Sequence, residues 1–255
     1  MSGHSKWANI KNRKGAQDAK RGKIFTRLAK EIIISAKIGG AEVENNPRLR
    51  MAIQKAKAEN MPNDNINRAI QRAVGGGAGN EIEEVMYEAY AQDGVAVIIK
   101  CATDNKNRTM PEIRTIVSKS GGNMAEKGAV SYMFTQKGLF VFEKGKATED
   151  QILECTFDYN LEDIVTNEDG SIEVICDFES FVDVKSALDE HGLEAETSEL
   201  TMISSLAVPI KKKETAEKFL NLINRVDDHE DVQNIYHNAD ISDEIMEQLD
   251  AEGLL

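Results

Sequence analysis

The run Gly75-Gly76-Gly77-Ala78-Gly79 constrains this chain more than any other stretch. Glycine lacks a Cβ and keeps the largest backbone freedom, so such a run reads as a flexible connector. The apolar pattern changes across it. Before it, apolar residues recur every three or four positions. After it, short apolar runs alternate with helical stretches. The chain is therefore expected to fold as a helical head, a hinge and a mixed body. Clustered glycines can also cradle phosphate, but this run lacks the Gly-Lys-Ser/Thr ending and no strong strand precedes it.

In the head, Phe25, Leu28, Ile32 and Ala36 mark the buried face of a helix from about Ala16 to Lys37. Gly39-Gly40 ends it. Asn46-Pro47 supplies an N-cap and first-turn pair for a second helix, carrying Leu49, Ile53 and Ala56 to about Glu59. Asn60-Met61-Pro62-Asn63 breaks the chain again. A third helix near Asp64 to Val74 then buries Ile66, Ala69, Ile70 and Ala73. Short helices with short connections make a small bundle. Residues 2–15 show little periodicity and are expected to form an extended arm.

In the body, strands are expected at Val95–Cys101, Val130–Phe134, Leu139–Glu143, Asp163–Thr166, Ile172–Cys176, Glu196–Ile203, Ser205–Val208 and Val232–Tyr236. Helices are expected at Arg108–Ser120, Glu149–Tyr159, Ser180–His191 and Lys213–Val226. The middle of this series reads β-α-β-β-α-β, the split ferredoxin-like order, and the flanking elements repeat it around the insertion. The expected fold is α+β: an N-terminal three-helix domain followed by two ferredoxin-like α/β domains, one inserted in the other. The expected limits are 1–78 for the head, 79–136 plus 204–255 for the outer domain and 137–203 for the inserted one. In the acidic tail, Ile241, Ile245 and Leu249 are placed to dock on the body.

Charge is sorted the same way. Residues 1–78 carry 16 Lys and Arg against 6 Asp and Glu, while the remainder carries 15 against 38. Between Lys6 and Lys30 only Asp18 opposes Lys6, Lys11, Arg13, Lys14, Lys20, Arg21, Lys23, Arg27 and Lys30. Most charge runs are solvated helix faces. A run of nearly one sign is also what phosphate contact needs, and a local field acts despite the acidic total. Trp7 either stacks on a base or plugs the bundle.

The three cysteines, Cys101, Cys155 and Cys176, form no CxxC pair and suggest a reducing compartment. No apolar run is long enough to span a membrane. A basic, acid-poor start can imitate a mitochondrial presequence, but Gly15 and Gly22 weaken the helix that such a segment needs. No nucleophile, base or metal constellation stands out, so neither catalysis, cofactor, metal nor small-molecule substrate is expected. Asp227-Asp228-His229-Glu230-Asp231 reads as a solvated helix-to-strand loop, with a divalent cation as the sharper alternative. Thr103-Asp104-Asn105-Lys106-Asn107-Arg108-Thr109 opens a helix; it suits capping and equally a phosphate or base edge. Ser118-Lys119-Ser120-Gly121-Gly122-Asn123 offers close backbone approach to a partner.

Gly3-His4-Ser5-Lys6-Trp7, the basic run through Phe25, Asn60-Met61-Pro62, Tyr87-Glu88, the Thr103–Thr109 loop and Gly121-Gly122 together resemble the YebC/PmpR family over essentially the whole chain. Asn12, Ala89 and Ala91 depart from its common pattern, as does the stretch around Val43. The resemblance implies a cytoplasmic, non-enzymatic protein related to the mitochondrial translational activator of cytochrome oxidase. It implies nucleic-acid contact at His4, Lys6, Trp7, Lys11, Arg13, Lys14, Lys20, Arg21, Lys23, Arg27 and Lys30, with Asn105 and Arg108 as further candidates. Two functions follow from it: a translation factor on ribosomes stalled at proline-rich nascent peptides, or a transcriptional regulator on promoter DNA. The expected partner is ribosomal RNA first and promoter DNA second. An enzyme or a protein-interaction module is the third class.

Overall fold

A computed structural model describes residues 17–75, 82–167 and 169–253. The head is three helices: α1 (Gln17–Gly39), α2 (Pro47–Ala58) and α3 (Asn63–Val74). Ile32, Ile33, Ile34, Ser35 and Ala36 are all buried. Consecutive positions point all round a helix, so α1 is covered on every side there. Helices α2 and α3 cover part of it, and Ile82 and Ala102 of the body complete the same core. Asn46 fastens the turn between α1 and α2. Its Oδ1 accepts from the Leu49 N–H at 3.0 Å, and its Nδ2 donates to the carbonyls of Ser35 and Gly40, each at 2.8 Å. Asn60 takes φ +59° after α2, where Asn is tolerated, and the Met61 N–H closes the end on the Ala56 carbonyl at 2.9 Å.

The outer body is built on β1 (Glu83–Tyr90), β2 (Ala96–Thr103), α4 (Lys106–Lys119) and β3 (Asn123–Ala125). The inserted unit follows: β4 (Phe134–Phe142), α5 (Glu149–Thr156), β5 (Leu161–Thr166), β6 (Ile172–Asp177), α6 (Phe181–Glu190) and β7 (Thr197–Ser204). The chain then returns through β8 (Val208–Ile210), α7 (Lys213–Asp227), β9 (Val232–His237), β10 (Ala239–Ile241) and α8 (Asp243–Ala251). The inserted sheet runs β5-β6-β4-β7 with every pairing antiparallel, which is the ferredoxin-like arrangement.

The outer sheet runs β3-β1-β2-β9, also antiparallel. It differs from the sequence expectation in one strand. A ferredoxin order would put β8 between β2 and β3. Instead β1, to which the sequence pattern assigns no strand, fills that place and pairs with β2 from Glu83↔Thr103 to Tyr90↔Ala96. The three-residue β8 pairs with β10 in a small parallel ribbon. The strand expected at 130–134 is a 3-10 turn, Ser131–Met133, running into β4, and β3 stands earlier. β1 escapes notice because its sequence, EEVMYEAY, buries only Glu88 and Ala89 fully. The Glu88 carboxylate accepts from the backbone N–H groups of Gly128, Val130 and Ser131 at 2.7–3.0 Å. Burial pushes its pKa up, but these donors outweigh burial and hold it below the usual glutamate value.

The outer core packs α4, α7 and α8 on one face of this sheet, with Ile241 and Leu249 of the tail docked into it. A smaller cluster on the other face, Ala96, Ile98, Val130 and Phe134, joins it to Met202 of the inserted sheet. Gly122 is not open to a partner. A Cβ there would meet the Tyr90 carbonyl oxygen and Leu222 Cδ1 at 2.9 Å, so the close approach that this glycine permits is internal.

Candidate nucleic-acid interface

His4, Lys6, Trp7, Lys11, Arg13 and Lys14 lie outside the described residues, as do the side chains of Lys20 and Arg21 and, apart from Gly75 at the end of α3, the expected hinge at Gly75–Gly79. The remaining predicted cations are described, and they face the body's own acids. Lys23 Nζ is 3.1 Å from Asp228 Oδ1 and 3.4 Å from Asp227 Oδ2. Arg27 Nη2 donates to the carbonyl of Asp227 and to its Oδ1, the latter at 3.0 Å. Lys30 Nζ donates to Asp231 Oδ1 at 2.7 Å and to the Glu230 carbonyl at 3.0 Å. These cations lie three or four residues apart, so they form one stripe on α1. The acidic loop after α7 closes over that stripe. The loop that reads as solvated in the sequence is an internal counter-ion. The Nε atoms of Arg27 and Arg108 remain buried with no acceptor among the described residues, so the pairing leaves donors unused.

Asp231 is the anchor of this contact, with its side chain only 2% exposed. Besides Lys30, it accepts from Arg108 Nη2 at 3.1 Å and Thr109 Oγ1 at 2.7 Å. Thr109 Oγ1 lies 2.7 Å from Thr103 Oγ1, which accepts from the Asn105 N–H at 2.9 Å. One hydroxyl carries one proton, so the relay runs from Asn105 N–H through Thr103 and Thr109 to the carboxylate. Burial raises the Asp231 pKa, but Lys30, Thr109 and Arg108 together hold it well below the usual carboxylate range. Asn105 also caps α4, its Oδ1 accepting from the Arg108 N–H at 3.2 Å. The Thr103–Thr109 loop thus serves capping and the Asp231 relay, and Arg108 is paired with Asp104 and Asp231.

His229 is drawn into the same contact. Its Nε2 is 2.9 Å from Glu112 Oε2, and its Nδ1 accepts from the Asp231 N–H at 3.1 Å. Among the described residues no group of three or more His, Cys, Asp or Glu converges as a metal site, and no helix is long and apolar enough to cross a membrane.

Beside this contact, a recess of about 530 Å³ opens between α1, α3 and the body. Phe25, Ile33 and Met61 give it apolar lining, and Lys30, Arg68, Arg72 and Arg108 give it cations. Asp104, Glu230 and Asp231 also line it, on the body's side. Helix α3, whose Arg68 and Arg72 extend the positive surface of the head, also carries amides. Ile66 and Ala69 point inward, while Asn67, Arg68, Gln71 and Arg72 are exposed. Asn67–Gln71 and Arg68–Arg72 are each four apart, so amides and guanidinium groups line adjacent rows of one face. These are the side chains that pair bidentately with adenine and guanine edges. The spacing was visible in the sequence; the inward turn of Ile66 and Ala69 shows which face it occupies.

Two family models match, the TACO1/YebC protein N-terminal domain over residues 5–76 and the TACO1/YebC second and third domain over residues 82–239. The chain belongs to the TACO1/YebC family. A probable transcriptional regulatory protein of Nitrosococcus oceani is 51% identical over 249 residues, covering 98% of this chain and all of that one. One of Idiomarina loihiensis is 49% identical over 250 residues with the same coverage. A crystal structure of a conserved hypothetical protein from Aquifex aeolicus superposes with a TM-score of 0.82 at 39% identity, covering 92% of this chain and 96% of that one. In this TACO1/YebC member, Ala89 and Ala91 are buried in the outer core, where a methyl group has room.

Proposed function

We propose that this TACO1/YebC-family chain is a nucleic-acid-binding regulatory factor, and that it acts as a ribosome-associated, RNA-binding translation factor relieving stalling at proline-rich nascent peptides. The observation that carries RNA binding is the position of the α3 face. Arg68 and Arg72 open into a recess that Glu230 and Asp231 of the body also line. A duplex entering there would bring its phosphates against those carboxylates. A single strand or loop is narrower and can splay its bases onto the apolar lining while its phosphates meet the arginines. Relief of stalling follows from the family resemblance and extends this binding to a ribosomal setting. In this proposal residues 1–78 hold the RNA, and the outer (79–136 plus 204–255) and inserted (137–203) domains set what is done with it.

The second reading is a promoter-binding regulator. The relatives' names point to it, and the exposed Asn67, Arg68, Gln71 and Arg72 supply base-reading chemistry for it. It requires α3 to protrude into a major groove. The two readings separate by fluorescence anisotropy of the full chain on an RNA hairpin and on a DNA duplex of matching sequence. The expected result is tighter binding to the hairpin, lost about tenfold or more in Arg68→Glu/Arg72→Glu. Tighter binding to the duplex, with the same loss in the variant, would transfer the function to DNA. No loss on either ligand would remove α3 from the account.

A further inference from the structure

The inserted unit carries apolar side chains that the fold leaves uncovered. Phe157 is 86% exposed, Leu153 51%, Val182 47% and Phe178 46%. Leu153 and Phe157 are one turn apart on the outward side of α5 and its C-cap, while Ile152, Cys155 and Thr156 face inward. Phe178 lies in the turn that leads into α6 and Val182 in its first turn, while the inward side of the helix buries Phe181 and Val184. β4 and β6 are antiparallel, and each is followed by a helix that returns over the sheet. α5 and α6 therefore run in opposite directions, and the end of α5 lies beside the start of α6. Both apolar pairs thus share one end of the helical layer. A cluster of this kind marks an interaction surface; scattered single residues do not.

Its rim is mainly acidic, and Lys185, one turn after Val182 on α6, is already paired with Asp189 at 2.8 Å. Asp150, Glu154, Asp158, Glu179 and Asp183 are exposed on the same two helices and the turns beside them. None of them has a cationic partner among the described residues. Nucleic acid and anionic lipid are repelled by such a rim. A second copy docked patch to patch would set carboxylate against carboxylate. We infer that this end of the inserted unit docks a basic amphipathic polypeptide segment, with Lys or Arg meeting the rim and apolar side chains covering Phe157 and Leu153. Basic arms and tails are common on proteins that bind nucleic acid, and such a segment with apolar residues interspersed would match this face. A head held on nucleic acid and an acidic, apolar-centred face turned to its coat proteins would give the chain two unlike grips. The docking surface stands on exposure and charge alone, so it is independent of whether the head takes RNA or DNA.

The probe is a fluorescent synthetic helix with Leu on one face and Lys on the other, titrated with the full chain. An all-Lys peptide of equal length is the comparator. The proposal expects the amphipathic peptide to bind at least about tenfold more tightly than the all-Lys peptide. It expects Leu153→Ser/Phe157→Ser to abolish that difference, while Leu206→Ser, an exposed apolar change outside α5 and α6, leaves it intact. Both variants change exposed side chains, and circular dichroism melting checks that they fold. Equal binding of the two peptides, or a difference that survives in Leu153→Ser/Phe157→Ser, would overturn the proposal. Self-association of the chain without peptide, lost in the same variant, would assign the face to a second copy and overturn it as well.

Discussion

Asp231 joins head to body, and nothing in its local sequence announces it. In Asp227-Asp228-His229-Glu230-Asp231 it reads as one more solvated acid. Only the fold brings it to Lys30, Arg108 and Thr109. Removing it leaves Lys30 and the partly exposed Arg108 facing each other across the recess, and Thr109 without its acceptor, so Asp231→Ala is expected to lower stability by about 2 kcal/mol. Thermal melting of the variant checks this. The pH dependence follows from its depressed folded-state pKa. An unfolded aspartate titrates near 3.9, so the contribution is complete above about pH 5 and falls as the solution is acidified below that. Asp231→Asn should therefore flatten the acid limb of the melting temperature against pH. The cysteines make a second prediction at this scale. All are free and buried, and burial pushes the Cys101 thiol up to about 12 and Cys176 to about 11. Iodoacetamide should label neither at pH 8 until the chain is unfolded, as mass spectrometry would show.

At the scale of elements, the sequence was most legible where local chemistry decides the structure. Asn46-Pro47 starts α2, Asn60-Met61 closes it, and the inserted β-α-β-β-α-β order gives the expected sheet. It was least legible in β1, where a buried Glu88 and small Ala89 hold a strand that alternation of large apolar residues does not reveal. Gly121-Gly122 showed the opposite failure. The glycines read as open to an outside partner, but what Gly122 approaches closely is Tyr90 of β1, the strand that the sequence pattern does not reveal. Gly122→Ala is expected to cost about 2 kcal/mol in chemical denaturation, because the Tyr90 carbonyl cannot move aside as a side chain could. The 227–231 loop yields a prediction of opposite kind. The Asp227 and Asp228 pairs are partly exposed, so Asp227→Asn/Asp228→Asn should change stability by less than about 1 kcal/mol. The variant should nonetheless bind RNA several-fold more tightly and with a steeper salt slope, because Lys23 and Arg27 become available to phosphate. An unchanged slope in anisotropy titrations would mean that these cations serve only the head–body contact.

Across the whole molecule, charge sorting by sequence position becomes charge sorting in space. The basic head was legible because its residues are contiguous, 16 cations against 6 acids over residues 1–78. That part of this charge is neutralised by the body was not legible, since each pair joins residues about 200 positions apart. In the proposed function the arm supplies phosphate contact through Lys11, Arg13 and Lys14, while Lys23, Arg27 and Lys30 of α1 are paired with the body's carboxylates. Charge reversal at Lys11, Arg13 and Lys14 is expected to weaken RNA binding and lower the salt slope by about one counterion per residue. Sedimentation of cell extract through sucrose gradients at low and high salt, following this protein, shows whether it travels with ribosomes. Co-migration with ribosomes at low salt, lost at high salt and in the Lys11, Arg13, Lys14 reversal, is the predicted result. Protein that remains at the top of the gradient at both salts would contradict a ribosome-associated factor.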